Sequence, residues 1–143
     1  MERDDGHRLH HVGILVRSID AALPYFTGQL RLALVSDERV PAVGVRLAYV
    51  AAGGAMLQLV EPIAPGPIQD HLDTHGEGIH HICLAVADIE AEVARLAPGE
   101  SVRINVGGQD MQTAFLPSAP HGLRMELAQF AATETGASRE GVA

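Results

Sequence analysis

The feature that most restricts the fold of this chain is a short sequence that occurs twice. HHVGILV at residues 10–16 and HHICLAV at residues 80–86 both place a doubled histidine before an alternating apolar run, 70 positions apart. A polar helix-capping residue and a helical pattern follow each run. Two copies are too few for a solenoid, which needs three or more units to bury its faces. The repeat therefore predicts two similar modules packed as one domain.

Each copy predicts the same order of elements, β-α-β-β-β, from period-2 runs and one helical pattern. We therefore predict an α+β fold of two tandem β-α-β-β-β modules with a cupped mixed or antiparallel sheet. Module one spans about residues 9–62 and module two about 79–130, and a Pro- and Gly-rich linker at 63–78 holds a short helix at 68–74. Residues 1–143 are expected to form a single domain, with a flexible polar tail at 131–143.

Composition and charge exclude several classes of partner. The net charge is -8 and the ten basic residues are scattered, so no positive stripe is available for a nucleic acid. No apolar run approaches the roughly 20 residues needed to cross a bilayer, and the charged amino terminus lacks the apolar region of a secretory signal. The single cysteine fits a reducing compartment. We expect a cytoplasmic protein that acts on a small molecule and binds neither nucleic acid nor membrane.

Strand alternation selects four polar side chains. In both histidine runs the branched residues form a packing face, so His11 and His81 point to the opposite face, which carries small residues. The same alternation in AMLQLV and LRMEL turns Gln58 and Glu126 away from the core. Gln58 and Glu126 are 68 positions apart, close to the 70 that separate the histidines. Each module therefore carries one histidine and one further polar residue at matching positions.

These four side chains form a mixed nitrogen and oxygen donor set without a thiolate. A pseudo-twofold arrangement of the modules would bring them to one centre, which suits a divalent ion such as Co, Ni, Mn or Zn. A single strand histidine is more often a hydrogen-bonded edge residue, but four matching positions favour a metal. We predict four metal ligands: His11, Gln58, His81 and Glu126. His10 and His80 are interpreted as residues that support the ligands or pack beside them.

The paired modules resemble the vicinal oxygen chelate superfamily, also called the glyoxalase/bleomycin resistance/dioxygenase superfamily, and within it the methylmalonyl-CoA epimerases. GEGIHHICLAVADIEA, QLVEP and HGLRMELAQ carry the resemblance, which runs from about Leu9 to Phe130. It implies a vicinal oxygen chelate domain and the same four metal ligands. It also implies proton abstraction next to a carbonyl through a metal-stabilised enolate, with an acyl-CoA or another β-dicarbonyl as substrate. We expect a homodimer.

Epimerisation needs either two acid/base groups or one group that swings, because the proton leaves one face of a carbon and returns to the other. Glu126 is the predicted catalytic group. Some members of the family carry an acid in the middle strand of module one, where this chain has Arg46, which will not act as a base at neutral pH. We expect Arg46 to bind an anionic group of the substrate, and His121 to bind substrate or supply the second base. Glu38, in the neighbouring loop, is a further candidate for moving the proton.

Three other functions are compatible with the same fold: a glyoxalase I-type lyase, a biosynthetic isomerase of another β-dicarbonyl, and a metal-free resistance protein that binds a small molecule. Resistance proteins of this kind usually stack their ligand on aromatic rings, and this chain has no Trp, three Phe and two Tyr. An iron-dependent dioxygenase would leave Gln58 without a role. Arg46 is the main reason to keep the biosynthetic isomerase as an alternative.

Overall fold

The structure is a computed structural model that describes residues 6–129 of the chain. The strands are β1 (Arg8–Leu15), β2 (Leu34–Val40), β3 (Val45–Ala52), β4 (Ala55–Pro62), β5 (Gly78–Ala85), β6 (Asn105–Val106), β7 (Gln112–Phe115) and β8 (Met125–Gln129). The α-helices are α1 (Ile19–Leu23), α2 (Pro67–His75) and α3 (Ile89–Leu96). This order confirms the predicted α+β fold with two β-α-β-β-β modules and a helix in the linker. The predicted flexible tail at 131–143 lies outside the described residues.

The chain forms two compact units. The first unit is Leu9–Cys83, and the second is Met1–Arg8 with Leu84–Ala143, of which residues 6–8 and 84–129 are described. In the first unit the strands lie in the order β2-β3-β4-β1-β5, with β1 and β4 parallel and the pairs β2–β3 and β3–β4 antiparallel. In the second unit the order is β8-β7-β6, and both pairs are antiparallel. The strand pairing is therefore mixed, as predicted.

The first helix of each module begins with the same hydrogen bonds. The residue before the first isoleucine is the N-cap in both helices, and its side chain accepts a backbone N–H. The N–H of Ile19 donates to the Glu61 carboxylate at 2.8 Å, and the N–H of Ile89 donates to the Gln129 side-chain oxygen at 2.7 Å. The repeat therefore extends from the strands to the contacts that fix each helix on the end of a distant strand.

The sheet of the first unit has two different faces. On one face Ile19 of α1 packs with Ala48 and Leu59, and we call this the α1 face. On the other, Leu72 of α2 packs with a cluster that includes Tyr49, and we call this the α2 face. By strand alternation, His11 and Gln58 lie on the α2 face with Leu15 and Val60. Among residues 6–129, none of the helices has the length and apolar character that a membrane span requires.

Candidate metal centre

The two predicted histidine ligands lie in the first unit, and their imidazoles meet. Nε2 of His11 is 3.1 Å from Nε2 of His81, and the two rings are nearly perpendicular at 83°. Both side chains are buried, with exposed fractions of 1% and 6%. Two imidazole nitrogens at this distance must share a proton or a cation, because two facing lone pairs repel each other. The pair is therefore suited to hold a positive ion away from water.

Gly13 of β1 makes this meeting possible. A β-carbon at position 13 would overlap the imidazole ring of His81. Gly13 is also the Cα partner of Gln58 in the parallel pairing of β1 with β4. Because Gly13 has no side chain, the His81 ring can occupy the space above it. The ring then lies beside the strand that carries Gln58.

Gln58 is oriented by Tyr49, its cross-strand partner on β3. The Gln58 Nε2 group donates to the Tyr49 hydroxyl at 2.8 Å, and the Tyr49 ring is 5.7 Å from the His11 ring, centroid to centroid. The other amide atom of Gln58, Oε1, is buried and has no hydrogen-bond partner among the described residues. A buried carbonyl oxygen without a donor is unfavourable. A cation beside the imidazoles would satisfy this oxygen.

Glu126 occupies the matching position in the second unit. On β8, Leu127 packs with Ile89 of α3, so the buried side chain of Glu126 points to the opposite face of that strand. Gln58 has the same relation to Leu59, which packs in the cluster of α1. The alternation therefore predicted the correct face for both side chains.

The donors of these residues fit a divalent ion. Imidazole nitrogen together with amide or carboxylate oxygen suits Co, Ni, Mn or Zn. Cys83 is not among the predicted ligands, yet His10, His11 and Cys83 are buried with their donor atoms within 4.8 Å of one another. Nδ1 of His10 and Nδ1 of His11 are 2.7 Å apart and already hydrogen-bonded to each other. Nε2 of His11, which faces His81, is therefore the nitrogen that remains for an ion.

Arg46 lies on the face of the sheet opposite Gln58, a position that does not favour the prediction that it binds a substrate anion, which stays a prediction. Arg46 lies on the α1 face with Ala48, whereas Tyr49 lies on the α2 face. Its guanidinium donates to Asp37 at 2.8 and 3.0 Å and to Asp20 at 3.0 Å. The hydrogen bond from Arg46 lowers the pKa of Asp37, and the bonds to Asp37 and Asp20 raise the pKa of Arg46. The charge of Arg46 is already paired.

The two remaining candidates occupy different environments. His121 is exposed in the turn before β8, with a left-handed φ of 63°, and its role in binding substrate stays a prediction. Glu38 lies in β2 rather than in a loop, and it is the Cα partner of Leu47 on β3. Cross-strand partners share a face, so Glu38 lies on the α2 face with Leu47 and Tyr49. The structure therefore places Glu38, and not Arg46, on the face that carries Gln58.

Comparison with known proteins supports one family. Residues 10–115 match the glyoxalase/bleomycin resistance protein/dioxygenase superfamily. The chain is 30% identical over 129 residues to the uncharacterized protein YqjC of Bacillus subtilis (strain 168), which covers 86% of this chain and 92% of that protein. It is also 30% identical over 133 residues to an ethylmalonyl-CoA/methylmalonyl-CoA epimerase of Cereibacter sphaeroides, over 85% of this chain and 97% of that enzyme.

A solved structure leads to the same family. Streptomyces coelicolor methylmalonyl-CoA epimerase in complex with 2-nitronate-propionyl-CoA matches this structure with a TM-score of 0.77 at 28% identity, over 87% of this chain and 95% of that one. These matches confirm the resemblance found in the sequence and the fold that it implies. The chain belongs to the glyoxalase/bleomycin resistance protein/dioxygenase superfamily.

Proposed function

We propose that this chain is a metal-dependent epimerase of methylmalonyl-CoA or of a closely related acyl-CoA. The observation that carries the proposal is the buried pair of imidazoles, His11 and His81, next to Gln58, whose buried Oε1 lacks a donor among the described residues. Relatives whose names give a reaction are epimerases of such thioesters. We propose four metal ligands: His11, Gln58, His81 and Glu126.

The ion and the protein side chains would have different roles in the reaction. A divalent ion bound by these residues would act as a Lewis acid on the carbonyl oxygens of a 1,3-dicarbonyl thioester. The chain removes and returns the proton: the C–H bond breaks, its electron pair moves toward the carbonyl, and a carboxylate accepts the proton. Glu126 is the proposed first acid/base group. Tyr49 and the other buried side chains of the α2 face limit access of water to one side of the site.

Glu38 is the proposed second acid/base group. Of the three carboxylates in β2, β3 and β4, Asp37 bonds to Arg46 and Glu61 accepts from the N–H of Ile19, both on the α1 face. Glu38 lies on the α2 face, separated from Gln58 by the strand β3. Neighbouring strands are about 5 Å apart, so β2 and β4 are roughly 10 Å apart. We propose that an acyl group bound beside Gln58 would present one face of its acidic carbon to Glu38.

Proton exchange in heavy water tests the proposal. The cobalt-loaded protein should exchange the C2 proton of methylmalonyl-CoA for deuterium and interconvert the two epimers. Glu38→Gln should slow interconversion by about 10²- to 10⁴-fold, while exchange from one epimer continues. Glu61→Gln is the matched control, because it keeps the oxygen that accepts from Ile19. Absence of exchange in the loaded wild-type protein would contradict the epimerase assignment.

A second candidate is an isomerase of a different β-dicarbonyl compound. The observation that favours it is that the β3 residues on the α2 face, Leu47 and Tyr49, are buried and are not carboxylates. Exchange assays with ethylmalonyl-CoA and with β-dicarbonyl compounds that lack coenzyme A separate the two candidates. Proton exchange only with the compounds that lack coenzyme A would favour this candidate.

Location and assembly belong to the same proposal. A single, buried cysteine supports a reducing compartment, and we propose the cytoplasm. We also propose a homodimer, which light scattering after size-exclusion chromatography would check. The expected mass is twice that of the chain, and a value equal to one chain would contradict the dimer.

A further inference from the structure

The doubled histidines form a row of four imidazoles joined end to end. Nδ1 of His10 is 2.7 Å from Nδ1 of His11, and Nδ1 of His80 is 2.8 Å from Nδ1 of His81. Between these pairs lies the contact of the two Nε2 atoms of His11 and His81 at 3.1 Å. Neighbouring rings are nearly perpendicular throughout, at 78°, 83° and 89°. Each pair has an outer histidine, His10 or His80, and the ring of His80 also lies 4.8 Å from the ring of His71 of α2.

The chemistry of imidazole fixes what each outer histidine must do when an ion is held at the centre. A neutral imidazole has one N–H and one lone pair. If Nε2 of His11 gives its lone pair to an ion, its hydrogen lies on Nδ1, and that N–H donates to Nδ1 of His10. The same holds for His81 and His80. Each outer histidine then accepts a hydrogen bond through Nδ1 and carries its own hydrogen on Nε2.

We propose that His10 and His80 are positioning residues for the metal ligands, so that the doubling of each histidine serves ion binding. The inference depends on the proposed metal centre of His11 and His81. Metal-bound histidines are commonly held through their other ring nitrogen, usually by a carboxylate, a backbone carbonyl or water. Here the acceptor is a neutral imidazole from the preceding residue. It fixes the tautomer and the ring orientation of the ligand without adding a negative charge.

Two substitutions separate this role from simple packing. His10→Phe keeps an aromatic ring but removes the acceptor, whereas His10→Asn removes the ring but keeps an acceptor oxygen near the position of Nδ1. His80→Phe and His80→Asn form the same pair at the less buried end of the row. A packing role predicts that Phe is tolerated and Asn is harmful. The positioning role predicts the reverse.

The measurements are Co²⁺ and Zn²⁺ affinity by titration calorimetry, and the visible absorption of bound Co²⁺, which reports its coordination. Each Phe variant should bind about 10- to 100-fold more weakly with an altered Co²⁺ spectrum, and each Asn variant should stay near the wild type. His7→Ala, which removes an imidazole that pairs with Glu92 of α3, is the control and should change neither property.

Each outcome has a separate meaning. If the wild-type protein binds neither ion, the metal centre itself is wrong and the positioning role is wrong with it. If the wild-type protein binds the ions and both Phe variants bind them equally well with the same Co²⁺ spectrum, the metal centre is supported and the positioning role is overturned. Circular dichroism verifies that each variant folds, and if the buried His10→Phe change prevents folding, the His80 pair decides the result.

Discussion

The two β-α-β-β-β modules share a pattern but differ at the positions that surround the candidate ligands. Tyr49 is the cross-strand partner of Gln58, and Phe115 is the cross-strand partner of Glu126. Tyr49 is fully buried, whereas Phe115 is 42% exposed and has no hydroxyl to offer. Position 115 therefore offers Glu126 no hydroxyl of the kind that Tyr49 offers Gln58. An amide must be oriented so that its oxygen and not its nitrogen faces an ion, whereas both carboxylate atoms are acceptors.

A second difference concerns the strands that carry the doubled histidines. The third residue after His10 is Gly13 in β1, and the third after His80 is Cys83 in β5. At Gly13 the ring of His81 lies in the volume where a β-carbon would be, whereas Cys83 carries a β-carbon. The matched positions therefore tolerate different side chains, although the sequences around them are alike.

The largest expected effect follows from adding a methyl group at Gly13. Gly13→Ala should abolish Co²⁺ binding, because the β-carbon and the His81 imidazole would occupy the same volume, and should lower the free energy of unfolding by about 1–3 kcal/mol. Calorimetry and urea denaturation measure the two effects. Gly28→Ala is the control, since a β-carbon there meets no atom within 4 Å. Cys83→Ala, at the matched position, should keep ion binding. Equal losses in Gly13→Ala and Gly28→Ala would contradict the role of Gly13.

The alternation of the strands could be predicted because apolar and polar residues contrast clearly in most of them. Gln58 and Glu126 each stand beside a core leucine, so their faces followed directly. Arg46 could not be placed in the same way, because β3 is apolar on both faces and its neighbours Val45 and Leu47 are buried. Which face of β3 lies against α1 depends on pairing with distant strands.

Contacts between distant residues account for the rest of what the sequence could not predict. The sequence alone does not indicate the role of Gly13, since the ring that needs its space belongs to a strand about 70 positions away. The contact between His10 and His11 also departs from alternation, which separates the side chains of consecutive strand residues. The last three strands of module two contain two, four and five residues, against seven, eight and eight in module one.

An intermediate effect is expected when Tyr49 is made to resemble Phe115. Tyr49→Phe removes the hydroxyl that accepts from Gln58 and leaves a buried N–H without its partner, which destabilises the fold by about 1–3 kcal/mol. The amide then loses its fixed orientation, and Co²⁺ affinity should fall about 10-fold. Tyr25→Phe, at a half-exposed ring, is the control and should change neither value. An unchanged affinity in Tyr49→Phe would show that the difference between the modules has no bearing on the ion.

The smallest effect is expected at Arg46, which is the cross-strand partner of Glu61. Its counterpart in module two is the uncharged Gln112, the cross-strand partner of Gln129. Arg46→Met should lower the free energy of unfolding at pH 7 by about 1 kcal/mol, because paired charges near the surface contribute little. It should leave KM unchanged, since the guanidinium contacts Asp37 and Asp20 on the α1 face. The hydrogen bond from Arg46 lowers the pKa of Asp37 in the folded state. That contribution is therefore complete above the unfolded pKa of Asp37 and disappears as the pH falls through the lowered value. Urea denaturation from pH 7 into the acid range should show the stability curves of the two proteins converging at low pH. A rise in KM with unchanged stability would instead return Arg46 to the substrate, as its position in the sequence first indicated.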